Sequence, residues 1–271
     1  MSEKHLTELF AACRDENRAA LMPFMTAGLP NPSDSVSLFV AMAEAGADGF
    51  EVGIPYADPL MDGPTIQAAG ERALAAGSGV DVSLQILADV VAETEKPTVI
   101  MTYVNPVLRM GIEVFADRVA AAGASGVIVA DLPVDESGVF AEAFRARGIG
   151  LVLFVAPTTT EARLAQVVHA KPPFVYGIAD LGVTGERTAA STHISGLVSR
   201  VRRHGDVPVV VGVGISTPDH ARLAAAEADG VIVGSALVKR VLAAADTKAA
   251  IASLRSTVRD LAYAVRRNPD H

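Results

Sequence analysis

One glutamate sits at the end of an apolar run, in Glu51-Val52-Gly53. An ionised side chain in such a run is costly unless it has a partner or a task. The structural alternative is a glutamate that fills a layer of the interior and is salt-bridged there. Ile54-Pro55-Tyr56-Ala57-Asp58-Pro59-Leu60-Met61-Asp62-Gly63-Pro64 follows, with two carboxylates and three prolines in one segment. Proline fixes φ and stiffens such a loop. Asp58, directly before Pro59, reads as a turn residue. Asp62 is the better candidate for chemistry, because a rigid loop can aim it back over the strand end. Gly212-Val213-Gly214-Ile215-Ser216 and Gly234-Ser235 each end an apolar run ahead of a helical start. Glycine there lets backbone N–H groups approach an anion at a helix N-terminus; plain turn chemistry is the alternative. A dinucleotide fingerprint fits less well, since Thr217 stands where its third glycine belongs. The segment Ala179–Thr192, after Tyr176, contains Gly182-Val183-Thr184-Gly185-Glu186-Arg187 and is long enough to act as a lid.

What is missing narrows the chemistry. None of the histidines forms a metal-ligand spacing, and there is no Gly-x-Ser-x-Gly elbow. Lys4, Lys96, Lys171, Lys239 and Lys248 avoid the C-terminal ends of the apolar runs, which argues against a Schiff-base lysine. Carboxylate acid–base chemistry remains, on a phosphorylated substrate that supplies its own electron sink. No metal and no cofactor are expected.

These residues must be positioned by the elements around them. Short β-rich runs occur at Leu21–Thr26, Gly49–Gly53, Thr98–Tyr103, Gly126–Asp131, Gly150–Val155, Phe174–Ile178, Val209–Gly212 and Gly230–Gly234. Most are continuously apolar, as strands buried on both faces are. Ala-rich stretches of helical period separate them, such as Asp34–Ala45, with Val36, Phe39, Val40 and Ala43 on one face. Eight strands, each followed by a helix, predict a (βα)₈ TIM barrel, with a doubly wound open sheet as the runner-up. Functional residues then belong at the C-terminal ends of the strands. The segments 45–53, 122–130 and 226–234 echo one another, each a helix end, a turn and an apolar strand. No linker or composition shift divides the chain, so residues 1–271 read as a single barrel domain.

Composition limits the class of protein. Half of the 271 residues are hydrophobic and the net charge is −8. Disorder is excluded for most of the chain, and an acidic balance argues against nucleic acid as the main partner. No apolar run approaches the ~20 residues of a membrane helix, and Glu3 and Glu8 interrupt any signal-like start. A lone cysteine, Cys13, cannot form an internal disulfide. A soluble, cytoplasmic protein is expected.

The stretch Glu51–Pro64 closely resembles the signature of the tryptophan synthase alpha subunit family. Pro23-Phe24-Met25-Thr26-Ala27-Gly28, Tyr103-Val104-Asn105-Pro106, Asp131-Leu132-Pro133, Gly182-Val183-Thr184-Gly185 and Gly212-Val213-Gly214 also fall where that family has them. The resemblance runs from about Leu6 to Arg266. It implies a (βα)₈ barrel that cleaves indole-3-glycerol phosphate by a retro-aldol step to indole and glyceraldehyde 3-phosphate. By resemblance, Glu51 is the general acid–base residue and Asp62 the carboxylate that receives the indole N–H. Phe24, Ile66, Met101, Tyr103 and Ile128 would form the indole slot, Tyr176 would orient the glycerol chain, and Thr184 would help close the site. Gly185, Gly212, Gly214, Gly234 and Ser235 would bind the phosphate. The partner implied is a tryptophan synthase beta subunit in an α2β2 assembly; a stand-alone lyase and a non-catalytic activator are the alternatives. The sequence departs from the family at Phe50, Ala57 and Asp180, which bear on loop closure and coupling.

Overall fold

The structure is a computed structural model that describes residues 2–178, 187–212 and 214–267, with the backbone only for 187–192. Eight parallel strands close into a barrel in sequence order. They are β1 (Ala20–Thr26), β2 (Phe50–Gly53), β3 (Thr98–Thr102), β4 (Gly126–Val129), β5 (Gly150–Val155), β6 (Val175–Gly177), β7 (Val209–Val211) and β8 (Gly230–Val233). The helices are α1 (Glu3–Asp15), α2 (Pro32–Glu44), α3 (Pro64–Ala75), α4 (Val80–Thr94), α5 (Val104–Met110), α6 (Ile112–Ala121), α7 (Gly138–Arg145), α8 (Glu161–His169), α9 (Arg187–Arg202), α10 (Pro218–Glu227), α11 (Ser235–Ala243) and α12 (Thr247–Ala264). The expected barrel is therefore the observed one, and the open sheet is excluded by the pairing of β1 with β8.

The strands are buried almost throughout, which accounts for their unbroken apolar sequences. Neighbouring residues still face opposite ways. Phe50 points outward and meets Phe39 of α2 edge-on, with ring centroids 5.4 Å apart. Glu51, the next residue, points inward. The larger residue at position 50 is thus absorbed by the barrel's outer layer. The buried face of α2 is Ser35, Leu38, Phe39, Ala41 and Met42. Of the stripe expected there only Phe39 is fully buried, because the helix is rotated to set Leu38 and Met42 against the barrel.

The internal echo has a structural cause. Asp48, Ser125 and Asp229 occupy equivalent positions, and their N–H groups donate to Leu21, Thr98 and Val209 on the preceding strand. The two aspartates add a side-chain bond, accepting from the N–H of Leu21 at 2.8 Å and of Val209 at 2.9 Å. Each copy ties the start of one strand to its neighbour. Helix α1, absent from the sequence-based reading, lies near these strand starts and buries Leu6, Phe10 and Cys13. Phe10 meets Phe174 edge-on at 5.8 Å. Among the described residues no single helix is long and apolar enough to cross a membrane.

Candidate active site

The C-terminal ends of the strands surround a cavity of about 490 Å³, within the ~300–1,000 Å³ usual for small-molecule sites. Glu51 and Asp62 both line it, together with Phe24, Ile66, Met101, Tyr176, Gly212, Gly214, Gly234 and Ser235.

Glu51 enters from β2. Its register partners are Phe24 on β1 and Val99 on β3, so its carboxyl is flanked by apolar groups. The residue is 2% exposed, and its Oε2 has no hydrogen-bond partner among the described residues. Burial first, and then the charge of Asp62, push its carboxyl up to about 8. At neutral pH most of it is the neutral acid, able to give a proton and to take one back. That is the condition for a general acid–base group.

Asp62 reaches the cavity from the proline-stiffened loop after β2. The loop turns back on itself through an Asp62 N–H bond to the carbonyl of Pro59 at 3.0 Å. Gly63 and Pro64 then start α3, with proline in its first turn. Burial raises the Asp62 carboxyl, and a hydrogen bond from the Tyr103 hydroxyl opposes that rise. The same hydroxyl accepts the N–H of Met61 at 3.3 Å. Tyr103 also stacks on Tyr56, at 5.1 Å between centroids, and the Tyr56 hydroxyl accepts from Asn105 Nδ2 at 3.1 Å. Tyr103 therefore holds Asp62 from behind. It borders a side recess of the main cavity, which it shares with Phe24, Ile66, Met101 and Asp62.

The glycines have a second use. A Cβ on Gly53 would lie 2.7 Å from the Phe24 ring, and one on Gly234 would lie 3.3 Å from it. Their bareness lets Phe24 lie flat against the wall. A Cβ on Gly212 would lie 1.9 Å from the Tyr176 hydroxyl. The Gly212 N–H donates to the Gly177 carbonyl at 3.3 Å, so it is not turned to an anion. The phosphate-binding expectation at Gly212 gives way to a steric one: this glycine makes room for Tyr176. Tyr176 packs on Phe154 at 4.8 Å between centroids, and burial beside Glu51 and Asp62 raises its phenol.

Ile128 is fully buried in β4 but does not line the cavity. Ala130, two residues further along the same face, does. The rise along a strand places successive same-face residues in different layers of a barrel. Thr184 and Gly185 lie outside the described residues. Phe154, Ile178, Ile215, Ser216, Ile232 and Ala236 line the cavity and were not anticipated. Phe154, Ile178 and Ile232 lie on predicted strands and could have been proposed from strand parity; Ile215 and Ser216 lie in a turn and Ala236 in the start of α11, where no such parity applies.

At the end of β8, Gly234 is the N-cap of α11. The N–H groups of Ser235 and Ala236 belong to its first turn, which leaves them without intrahelical acceptors. Both residues border the cavity, as do Gly214, Ile215 and Ser216 after β7. Backbone donors at a helix N-terminus suit a phosphate. No lysine, histidine or cysteine among the described residues lines the cavity.

A closed (βα)₈ barrel with two acidic side chains and a helix N-terminus at its C-terminal mouth defines a class: barrel enzymes that work on small phosphorylated molecules by acid–base chemistry. Comparison with known proteins narrows it. Residues 10–266 match the family described as "Tryptophan synthase alpha chain". The tryptophan synthase alpha chain of Synechococcus elongatus is 41% identical over 265 residues, 97% of this chain and 98% of its own. That of Mycobacterium avium is 44% identical over 261 residues, 96% of this chain and 94% of its own. The Mycobacterium tuberculosis tryptophan synthase structure in space group F222 superposes with a TM-score of 0.87 at 41% identity, over 96% of this chain and 98% of that one. The alpha subunit from Legionella pneumophila strain Paris gives 0.88 at 30% identity, over 98% of each chain. The chain belongs to the tryptophan synthase alpha chain family. It is a carbon–carbon lyase that cleaves indole-3-glycerol phosphate to indole and glyceraldehyde 3-phosphate.

Proposed function

We propose that Glu51 and Asp62 carry this cleavage and that the first turn of α11 and the turn after β7 hold the substrate's phosphate. The substrate's indole lies in the apolar part of the cavity, walled by Phe24, Ile66, Met101 and Phe154. Glu51 delivers its proton to indole C3. Asp62 accepts the indole N–H and stabilises the positive charge that protonation puts on the ring. Glu51, now a carboxylate, takes the proton from the hydroxyl on the carbon attached to C3. The C–C bond breaks, its electrons restore the aromatic indole, and the carbinol carbon leaves as the aldehyde of glyceraldehyde 3-phosphate. Tyr176 orients the glycerol chain, and Ser235, Gly234 and Gly214 hold the phosphate with the N–H of Ala236. Thr184 and Gly185 are assigned by family resemblance to closure and phosphate binding.

One observation carries the reading: a buried carboxyl, without a hydrogen-bond partner among the described residues and raised to about 8, shares a ligand-sized cavity with a second acid. A structural glutamate filling a barrel layer would be paired.

The partner is a beta subunit, in an α2β2 assembly working in the cytoplasm. Leu60 and Met61 support it. They precede Asp62 and are 79% and 58% exposed, so a protein docking on them is directly coupled to the catalytic loop. The test is indole release by the purified chain, with and without a beta subunit. Activation favours this reading; full activity alone and indifference to a beta subunit favour a stand-alone lyase.

A further inference from the structure

His220 stands outside the cavity, yet its ring touches the turn that borders it. It is the third residue of α10, whose N-cap Thr217 accepts the His220 N–H at 3.2 Å. This cap anchors the backbone below the ring. Nδ1 lies 3.2 Å from the carbonyl oxygen of Gly214 and 3.3 Å from Ser216 Oγ. A carbonyl can only accept, so the pair with Gly214 requires the proton on Nδ1. Among the described residues no other hydrogen bond reaches Gly214, Ile215 or Ser216.

Gly214 has φ +83, which glycine adopts without steric cost; with no side chain of its own, it leaves the orientation of its flanking peptides to other contacts. Holding its carbonyl fixes the plane of the following peptide, and with it the direction of the Ile215 N–H. Gly214, Ile215 and Ser216 border the cavity on the side of Ser235 and Ala236. We propose that His220 is a positioning residue for phosphate recognition: it pins the Gly214–Ser216 turn from behind, so that the turn's polar groups meet the anion already ordered. The proposal rests on the phosphate being held between this turn and α11.

The experiment uses the full chain and inorganic phosphate as the probe, titrated by phosphorus NMR, with kcat and KM measured for indole release. Three variants separate the possibilities. His220→Leu removes the donor and keeps the bulk. His220→Gln keeps an N–H that can reach the carbonyl. Ser235→Asp puts a carboxylate where the anion would sit, at a helix position that tolerates acidic residues. Circular dichroism checks that each is folded. His220→Leu is expected to weaken phosphate by about fivefold, the worth of one ordinary hydrogen bond, and to raise KM with kcat held. His220→Gln should restore most of the loss, which a purely structural role would not require. Ser235→Asp should lose measurable phosphate binding. If Ser235→Asp weakens phosphate while His220→Leu does not, the positioning role is overturned and the phosphate site stands. If glutamine fails to rescue the leucine variant, the hydrogen bond is not the cause and the role is likewise overturned. Unchanged phosphate binding in Ser235→Asp overturns the phosphate site itself, and the role of His220 with it.

Discussion

Replacing Glu51 with glutamine should make the protein more stable while stopping its chemistry. The carboxyl is raised to about 8 by burial and by the charge of Asp62, whereas in the unfolded chain it ionises near the ordinary value of 4.5. Between those two values the native state holds a proton that the unfolded state has released. Glu51 thus costs nothing in stability below 4.5, and its cost grows as the pH rises through this window. The slope is about 1.4 kcal/mol for each pH unit, which accumulates to roughly 3 kcal/mol at pH 7 and levels off above 8. Glutamine keeps the shape and does not titrate. Urea denaturation of both proteins at pH 4.5, 6, 7 and 8 measures the difference. The variant should match the wild type at the lowest pH and exceed it increasingly up to pH 8. A gap that is flat with pH, or a variant less stable than wild type at pH 8, would refute the reasoning that Glu51 is held neutral by its surroundings.

Three other outcomes are expected. Tyr103→Phe removes the hydrogen bond that opposes the rise of the Asp62 carboxyl; Asp62 should ionise at higher pH, so the acidic limb of kcat/KM moves in the alkaline direction, and kcat should fall by about tenfold. Gly212→Val drives its side chain into Tyr176; turnover should collapse, while phosphate affinity, measured by titration, should change little because the Gly212 N–H is already bonded to Gly177. A beta subunit should raise turnover at least about tenfold, equivalent to ~1.4 kcal/mol of coupling, and Leu60→Asp should remove most of that activation without altering the unpartnered rate.

The barrel was legible because a parallel strand buried on both faces leaves an unbroken apolar run, and eight of these alternate with helical stretches. Glu51 was legible for the same reason, as a charge where the pattern allows none. Other features depend on three-dimensional placement that periodicity does not encode. The face of α2 was misassigned because Ala, Val and Met make its sequence apolar on several sides. Helix α1 was missed because its exposed residues dominate a short amphipathic segment, and α5 because its seven residues follow directly on β3. Gly212 looked like an anion-binding glycine, yet its local sequence could not reveal that the Tyr176 ring lies over it. Ile128 is an inward strand residue, yet the cavity is lined two residues further along the same strand, at Ala130.

Indole release from indole-3-glycerol phosphate by the wild type, Glu51→Gln and Asp62→Asn, each assayed with a beta subunit present, tests the central claim most directly. The wild type should release indole and glyceraldehyde 3-phosphate in equal amounts. Glu51→Gln should be slower by roughly 10²-fold or more, with Asp62→Asn also strongly impaired, and both should still bind the substrate. Cleavage by Glu51→Gln at the wild-type rate would contradict the account.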